Sequence, residues 1–253
     1  MTPRMKSPPE DELQGYLNGA LTRLQDPRCA RRPELLASVH RGCAVFGYGA
    51  GLPMRDVKQH IDGAIDAYLA VQHERPGVEV LSTAVDGEYP DYWHAASNYT
   101  LQYLYWALTL GDAERSRRLS DHIWDPEPPA IPEVFPIFRI AYAVRDVVLG
   151  KNASALAELA RIGPNAKGAE RREAQVVEAV AREDGPSIVE SLHALARGHR
   201  DASSGESLVE LRILCVPAAG LASFALDCRL IESSELPQNL DAFPSELVLD
   251  GRA

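Results

Sequence analysis

The sequence predicts an all-α protein, a compact, solenoid-like array of antiparallel helical hairpins around a buried C-terminal helix. Three observations predict this fold class. Apolar residues recur at three- and four-residue spacing along most of the chain. A pattern of apolar helix, short polar turn and second helix occurs three times, at 103–123, 142–162 and 176–196. Residues 208–230 are almost wholly apolar beyond Arg212, which is typical of a helix buried on every side.

The N-terminal helices follow from the same periodicity. Leu13 and Leu17 share one face of a first helix, and Pro33 suits the first turn of a second. The glycines of 47–51 should stop that second helix, and a third opens at Pro53. We expect these glycines to form an interhelical turn, because they follow no strand and no lysine completes a phosphate loop.

The later elements are predicted from local signals. Residues 78–85 are rich in β-branched side chains, but no second strand is available to pair with them, so we expect an extended connector. Asp112 and Asn152 follow helix-ending glycines and are predicted N-caps. Pro217 should kink the apolar helix or mark the first turn of a second segment. Residues 243–248 should pack back onto the body.

Domain organisation and compartment follow from composition. We expect residues 1–9 to be a disordered leader and residues 10–253 a single all-helical domain, with a softer boundary near 76–90. The N-terminus lacks the apolar stretch of a signal peptide, and the longest uncharged apolar run has the length of a core helix, which predicts a cytoplasmic protein. Four cysteines in 253 residues are too sparse for a disulfide scaffold, so we expect reduced and mostly buried thiols.

No catalytic or metal-binding motif is recognisable in the sequence. The seven histidines are scattered, and the pair Asp62 and Asp66 is most simply a solvated helix face. We therefore expect no enzyme activity, no metal and no cofactor. A helical enzyme stays open as an alternative, which a deep pocket with converging perturbed carboxylates or histidines would favour.

Charge and aromatic patterning indicate a partner. The formal charge is -10, which argues against binding to nucleic acid or to an anionic membrane. Residues 61–150 carry fourteen acidic and six basic side chains, and the segments 86–94 and 123–135 combine acids with aromatic residues. Such a surface suits a basic protein partner. The candidate partner-binding residues are Asp86, Glu88, Tyr89, Asp91, Tyr92, Trp93, Trp124, Asp125, Glu127 and Glu133.

The C-terminal half resembles a known family. Residues 192–230 and 242–248 show an amphipathic helix ending in a histidine, a polar break, an apolar helix and a terminal Pro-x-x-Leu. This pattern is similar to that of bacterial polymorphic-toxin immunity proteins, especially the immunity protein 49 family and the all-helical immunity proteins of secreted nuclease toxins. The residues that carry the resemblance are His199, Leu221, Ala225, Pro244 and Leu247. The mid-region 105–123 resembles the helix–turn–helix of the same family.

The resemblance implies stoichiometric neutralisation of a toxin. Such a protein binds a co-produced, basic toxin domain in the cytoplasm and occludes its active site or substrate-binding surface, without a catalytic residue or cofactor. The alternative left open is a helical-repeat scaffold that binds another protein or peptide in a groove.

Overall fold

The computed structural model describes residues 9–74, 97–123, 135–162, 166, 168–203, 213–238, 240 and 242–250. The predicted leader up to residue 8 and the predicted connector 78–85 lie outside these residues. Within the described residues all regular structure is helical, which confirms the predicted all-α class.

The helices are α1 (Glu10–Leu24), α2 (Pro27–Ala30), α3 (Pro33–Gly49), α4 (Met54–Glu74), α5 (Ser97–Thr109), α6 (Ala113–Asp121), α7 (Pro136–Val148), α8 (Asn152–Ala160), α9 (Gly168–Ala181), α10 (Gly185–Ser203), α11 (Val216–Asp227) and α12 (Ser245–Leu249), with a 3-10 turn at Ser233–Glu235. Consecutive helices pack as pairs, and the pairs pack side by side: α4 contacts α5, α5 contacts α7, and α7 contacts α9. Helix α11 packs across this array on α5, α9 and α10.

A hydrophobic core connects the helices from α1 to α12. Its largest fully buried side chains include Tyr68, Phe138 and Tyr142. The Tyr68 ring stacks on Tyr103 with centroids 4.0 Å apart, and its hydroxyl lies 2.8 Å from the Thr100 hydroxyl. The buried polar atom of the tyrosine is thereby satisfied, as a buried hydroxyl requires.

Four helices end in the same backbone conformation. Gly111, Gly150, Glu183 and Arg229 all have positive φ, and in each case the amide of the next residue donates to the carbonyl oxygen five residues before it. This is the C-terminal closure in which a left-handed residue lets orphan carbonyls find a donor. The same closure therefore ends α5, α7, α9 and α11.

The predicted caps and turns are partly correct. Asp112 caps α6 by accepting from the Arg115 amide at 2.9 Å, as predicted. Asn152 was predicted as an N-cap, which is wrong: it is the first residue of α8, the cap position is Lys151, and its side chain donates to Glu183. The turn after α3 begins only at Ala50, so Gly47 lies inside the helix.

The buried C-terminal helix is shorter than the predicted 208–230. Leu214 and Cys215 are non-helical, and α11 begins at Val216 with Pro217 in its first turn, one of the two roles predicted for this proline. Helix α12 packs on α11 and buries Leu247 and Val248, so the chain returns to the body as expected.

The structure also shows how far the cysteines are buried and how long and apolar the helices are. Cys29, Cys43 and Cys215 are buried, whereas Cys228 is exposed, and all four are free thiols. In the part of the chain that the structure describes, the helices lack the combined length and apolarity of a bilayer span.

Candidate functional site: the cavity around Glu173

A cavity of about 370 Å³ opens between α3, α5, α7, α9, α10 and the start of α11. Its size falls in the lower part of the range of small-ligand sites, about 300–1,000 Å³. Its wall combines apolar and aromatic side chains with a few polar ones. The lining residues are Arg41, Val45, Asn98, Tyr99, Leu101, Gln102, Tyr105, Trp106, Ile137, Glu173, His199, Leu214, Val216 and Pro217.

Close packing of α11 on α5 fixes one wall of the cavity. A Cβ on Gly220 would lie 2.7 Å from the Tyr105 carbonyl oxygen, so this approach requires glycine. One turn later, the Ser223 hydroxyl donates to the Leu108 carbonyl oxygen. Both contacts hold the backbone of α5 against α11 and thereby set the position of the Tyr105 side chain.

Glu173 is a buried carboxylic acid at the cavity wall. It is 6% exposed, and its Oε1 accepts a hydrogen bond of 2.5 Å from the Tyr105 hydroxyl. Burial raises the pKa of Glu173 to about 7, against the opposing effect of the Tyr105 hydrogen bond, and the Glu170 charge raises it further. The group therefore exchanges its proton near neutral pH, which is characteristic of functional carboxylates in clefts.

The neighbours of Glu173 do not share this titration. Burial raises the pKa of the Cys215 thiol to about 12, and burial together with the Glu173 charge raises the pKa of Tyr105 well above its ordinary value. Both groups therefore stay protonated at neutral pH, and Cys215 lacks the thiolate that a nucleophile requires. Glu173 is the proton-exchanging group that this cluster presents.

Two further polar groups shape the cavity. The Arg41 guanidinium donates to the Gln102 side-chain oxygen at 2.8 Å, which links α3 to α5. The Asn98 Oδ1 atom is buried and has no hydrogen-bond partner in the described residues. A buried acceptor without a donor is unfavourable, so this atom adds to the energetic cost of the cavity.

Three lining residues of the cavity lie close in sequence to segments outside the described ranges. Asn98 lies two residues after 75–96, and Ile137 lies three residues after 124–134. Leu214 lies two residues after 204–212. Residues close to the ends of three such segments therefore line one cavity.

All ten predicted partner-binding residues lie outside the described residues, in 75–96 and 124–134. Their placement thus stays a prediction. Phe135 directly follows 124–134. It is 51% exposed at the start of α7 and presents an uncovered aromatic ring.

Sequence reasoning missed Glu173, although a signal existed. Val176, Val177 and Val180 are buried residues of α9 that follow it at three-, four- and seven-residue spacing, so Glu173 occupies the apolar face of its helix. A lone carboxylate on an apolar stripe is rarely buried without a reason. The identity of its partner Tyr105, 68 residues away, has no local signal.

A second titratable cluster joins α3 to α4. The Nδ1 atoms of His40 and His60 lie 3.2 Å apart, and the His40 ring occupies the space left by Gly63, where a Cβ would lie 2.7 Å from a ring carbon. Burial lowers the pKa of both imidazoles, and the proximity of His60 lowers that of His40 further. One ring donates an N–H hydrogen bond to the other, which requires the accepting imidazole to be neutral.

The acidic pair of α4 is exposed but engaged. Arg115 of α6 binds Asp62 at 2.6 Å and Asp66 at 2.8 Å through separate nitrogens. The expected solvated face is thus also the surface on which α6 is held.

Among the described residues, no group of three or more histidine, cysteine or acidic side chains is arranged to hold a metal ion. Comparison of the chain with protein-family models, with curated proteins and with solved structures finds no match.

Proposed function

We propose that this protein is a cytoplasmic immunity protein, which neutralises a cognate secreted toxin domain by forming a stoichiometric complex. The observation that carries the proposal is that Asn98 and Ile137 line the same cavity. Each adjoins in sequence a segment that combines carboxylates with aromatic residues. Aromatic anchors supply affinity at protein interfaces, and complementary charge speeds encounter with a basic partner.

The structural setting of the family resemblance also supports this proposal. Leu221 and Ala225 of α11 and Leu247 of α12 are buried in contacting helices, and His199 lines the cavity beside α11. The residues that carry the resemblance thus belong to a common C-terminal unit. Residues that pack within one structural unit support a family resemblance better than residues scattered over the surface do.

The test is co-expression with the toxin domain encoded next to this gene. The toxin domain alone should arrest growth of the host cell, and this protein in equal amount should restore it and co-purify with the toxin. Restored growth without a complex, or a complex without restored growth, would contradict the proposal. An equally acidic helical protein serves as the control for charge alone.

A second candidate function is a helical enzyme, and Glu173 is the observation that favours it. A carboxyl group with a pKa near 7 in a cavity suits general acid–base catalysis. However, Cys215 is fully buried and protonated at neutral pH, and Tyr105 already donates to Glu173. His199 lines the same cavity as Glu173, but among the described residues no thiolate nucleophile lies beside them, so we place turnover second to binding.

A further inference from the structure

We propose that His40 of α3 and His60 of α4 form a binding site for a divalent transition-metal ion such as Zn²⁺, with the two Nδ1 atoms as ligands. The ion takes two ligands from the protein, and water completes its coordination sphere. The proposal concerns the contact between α3 and α4 and stands whether or not the toxin complex forms.

The first argument is the distance between the two ring nitrogens. The Nδ1 atoms of His40 and His60 are 3.2 Å apart. Two imidazole nitrogens bound at about 2.0–2.1 Å to a tetrahedral Zn²⁺ are separated by about 3.3–3.4 Å, and neighbouring ligands of an octahedral ion at that bond length by about 2.9 Å. The observed distance lies between these values. A metal ion can therefore bind both nitrogens after small rotations of the rings, without separation of the two helices.

The second argument is the orientation of the rings. Their centroids are 5.5 Å apart, farther than the two Nδ1 atoms, and their planes are inclined by 47°, so the rings meet by their nitrogen-bearing edges and do not stack. A metal ion binds an imidazole at this edge, through the lone pair of a ring nitrogen. When the ion binds, the ring that donates the present hydrogen bond moves its proton from Nδ1 to Nε2, and both Nδ1 lone pairs become ligands.

The third argument is the surroundings of the pair. In the described part of the chain, the hydrogen bond between the two imidazoles is the one polar contact of either ring. Neither ring is therefore held by a carboxylate or a backbone carbonyl that an ion would have to displace. Both side chains are half-buried, so solvent reaches the pair, and water can accept the remaining ring N–H as it does in many metal sites.

Gly63 holds one of the two ligands in position. A Cβ at Gly63 would lie 2.7–2.9 Å from three atoms of the His40 ring, so the ring packs on the backbone of α4 where glycine leaves room. Gly63 follows His60 by three residues and lies on the same face of α4. A ligand that is already restrained loses less conformational freedom when the ion binds.

The number and type of ligands define the class of ion. No group of three or more histidine, cysteine or acidic side chains in the described ranges is arranged around an ion, so the pair acts with water and not with a third side chain. Binding is therefore weaker than at structural zinc sites, which have four protein ligands. Imidazole nitrogens favour Zn²⁺, Ni²⁺ and Cu²⁺, whereas Mg²⁺ favours oxygen ligands. Mg²⁺ is thus the control ion.

The experiment titrates the untagged, reduced protein with ZnCl2 by isothermal titration calorimetry at pH 7.5, and with MgCl2 as the control. Wild type should bind one Zn²⁺ and no Mg²⁺. His40→Gln and His60→Gln should each weaken Zn²⁺ binding by at least about tenfold, because each removes one of two ligands. His193→Gln and Cys228→Ser, which remove another imidazole and the exposed thiol, should leave binding unchanged.

Two further measurements separate coordination from a fault in folding. Circular dichroism checks that each variant is folded. Proton–nitrogen correlation spectra of the imidazoles should show the Nδ1 atoms of His40 and His60 both without a proton in the Zn²⁺-loaded wild type. Zn²⁺ should also raise the thermal midpoint of wild type and not that of the two variants. No binding by folded wild type, undiminished binding in either variant, or loss of binding in Cys228→Ser would each overturn the proposal.

Discussion

At the residue scale, the molecule contains a carboxyl group that burial makes unfavourable in its charged form. Glu173 binds its proton more tightly in the folded chain, with a pKa of about 7, than its ordinary value of 4.5 would give. Stability contributed by this group is therefore present at acidic pH and is lost as the pH rises through 7. A residue retained at this expense is typical of functional sites, where stability is given up for binding or chemistry.

We predict that Glu173→Gln becomes more stable than wild type as the pH is raised. The amide cannot ionise, so the free energy of unfolding of the variant should exceed that of wild type by about 2–3 kcal/mol more at pH 8 than at pH 5. Urea unfolding at the two pH values measures this difference. Glu178→Gln is the control, and a pH-independent difference for Glu173→Gln would contradict a raised pKa.

The histidine pair has the opposite effect on how stability depends on pH. The pKa values of His40 and His60 are lowered in the folded chain, chiefly by burial, so the unfolded chain binds more protons as the pH falls below their ordinary value of 6.5. We predict that His60→Gln becomes more stable relative to wild type as the pH falls from 7 to 5. Urea unfolding at the two pH values checks this, with His193→Gln of α10 as the control. The same pH dependence in wild type and His60→Gln would show that the pair does not contribute.

At the element scale, helix ends explain why the array could be predicted better than its details. Gly111 and Gly150 mark the ends of α5 and α7 in the sequence because glycine accepts positive φ. The end of α9 is harder to predict from the sequence, because the residue with positive φ there is Glu183. The nearby Gly185 has another role. A Cβ on Gly185 would lie 2.7 Å from the Leu230 carbonyl oxygen, a long-range contact that no local pattern reveals.

We predict opposite effects of two substitutions at equivalent helix ends. Glu183→Gly relieves a positive φ of 55° and should raise the free energy of unfolding by about 1 kcal/mol. Gly150→Ala introduces a Cβ at a φ of 71° into open space and should lower it by a similar amount through backbone strain alone. Thermal or urea unfolding measures both. Destabilisation by Glu183→Gly would mean that its hydrogen bond from Asn152 outweighs the strain.

The candidate site, like the helix ends, could be predicted from local sequence patterns only in part. The apolar stripe of α9 could have drawn attention to Glu173, because a carboxylate interrupts the run of valines. The cavity itself depends on α3, α5, α7, α9, α10 and α11 meeting in three dimensions, and on a close approach at Gly220. Periodicity specifies which face of a helix is buried, but not which distant helix covers it.

At the scale of the whole molecule, charge is the property that the proposed function uses. The chain carries -10 overall and -8 within 61–150, so a basic partner is attracted before contact. Net charge and local charge act differently, because exposed charges beyond about 8–10 Å are screened at physiological salt. A local interface can therefore be separated from a general field by matched substitutions.

We predict that replacing Asp86, Glu88 and Asp91 by lysine slows association with the toxin domain by at least tenfold at low salt. The matched control replaces three carboxylates of the first turn of α1, Glu10, Asp11 and Glu12, by lysine and changes the net charge by the same amount. Stopped-flow association rates compare the two variants. Equal slowing of both would assign the effect to net charge and contradict an interface at 86–91.

The measurement that tests the central claim most directly is a titration of toxin activity with this protein. If the protein neutralises by occupying a surface, residual activity should fall in a straight line and reach zero at one equivalent, with a 1:1 complex recovered at that point. Complete loss of activity at a small fraction of an equivalent would indicate turnover, and undiminished activity at several equivalents would indicate that this protein does not neutralise the toxin. Either result would contradict the account.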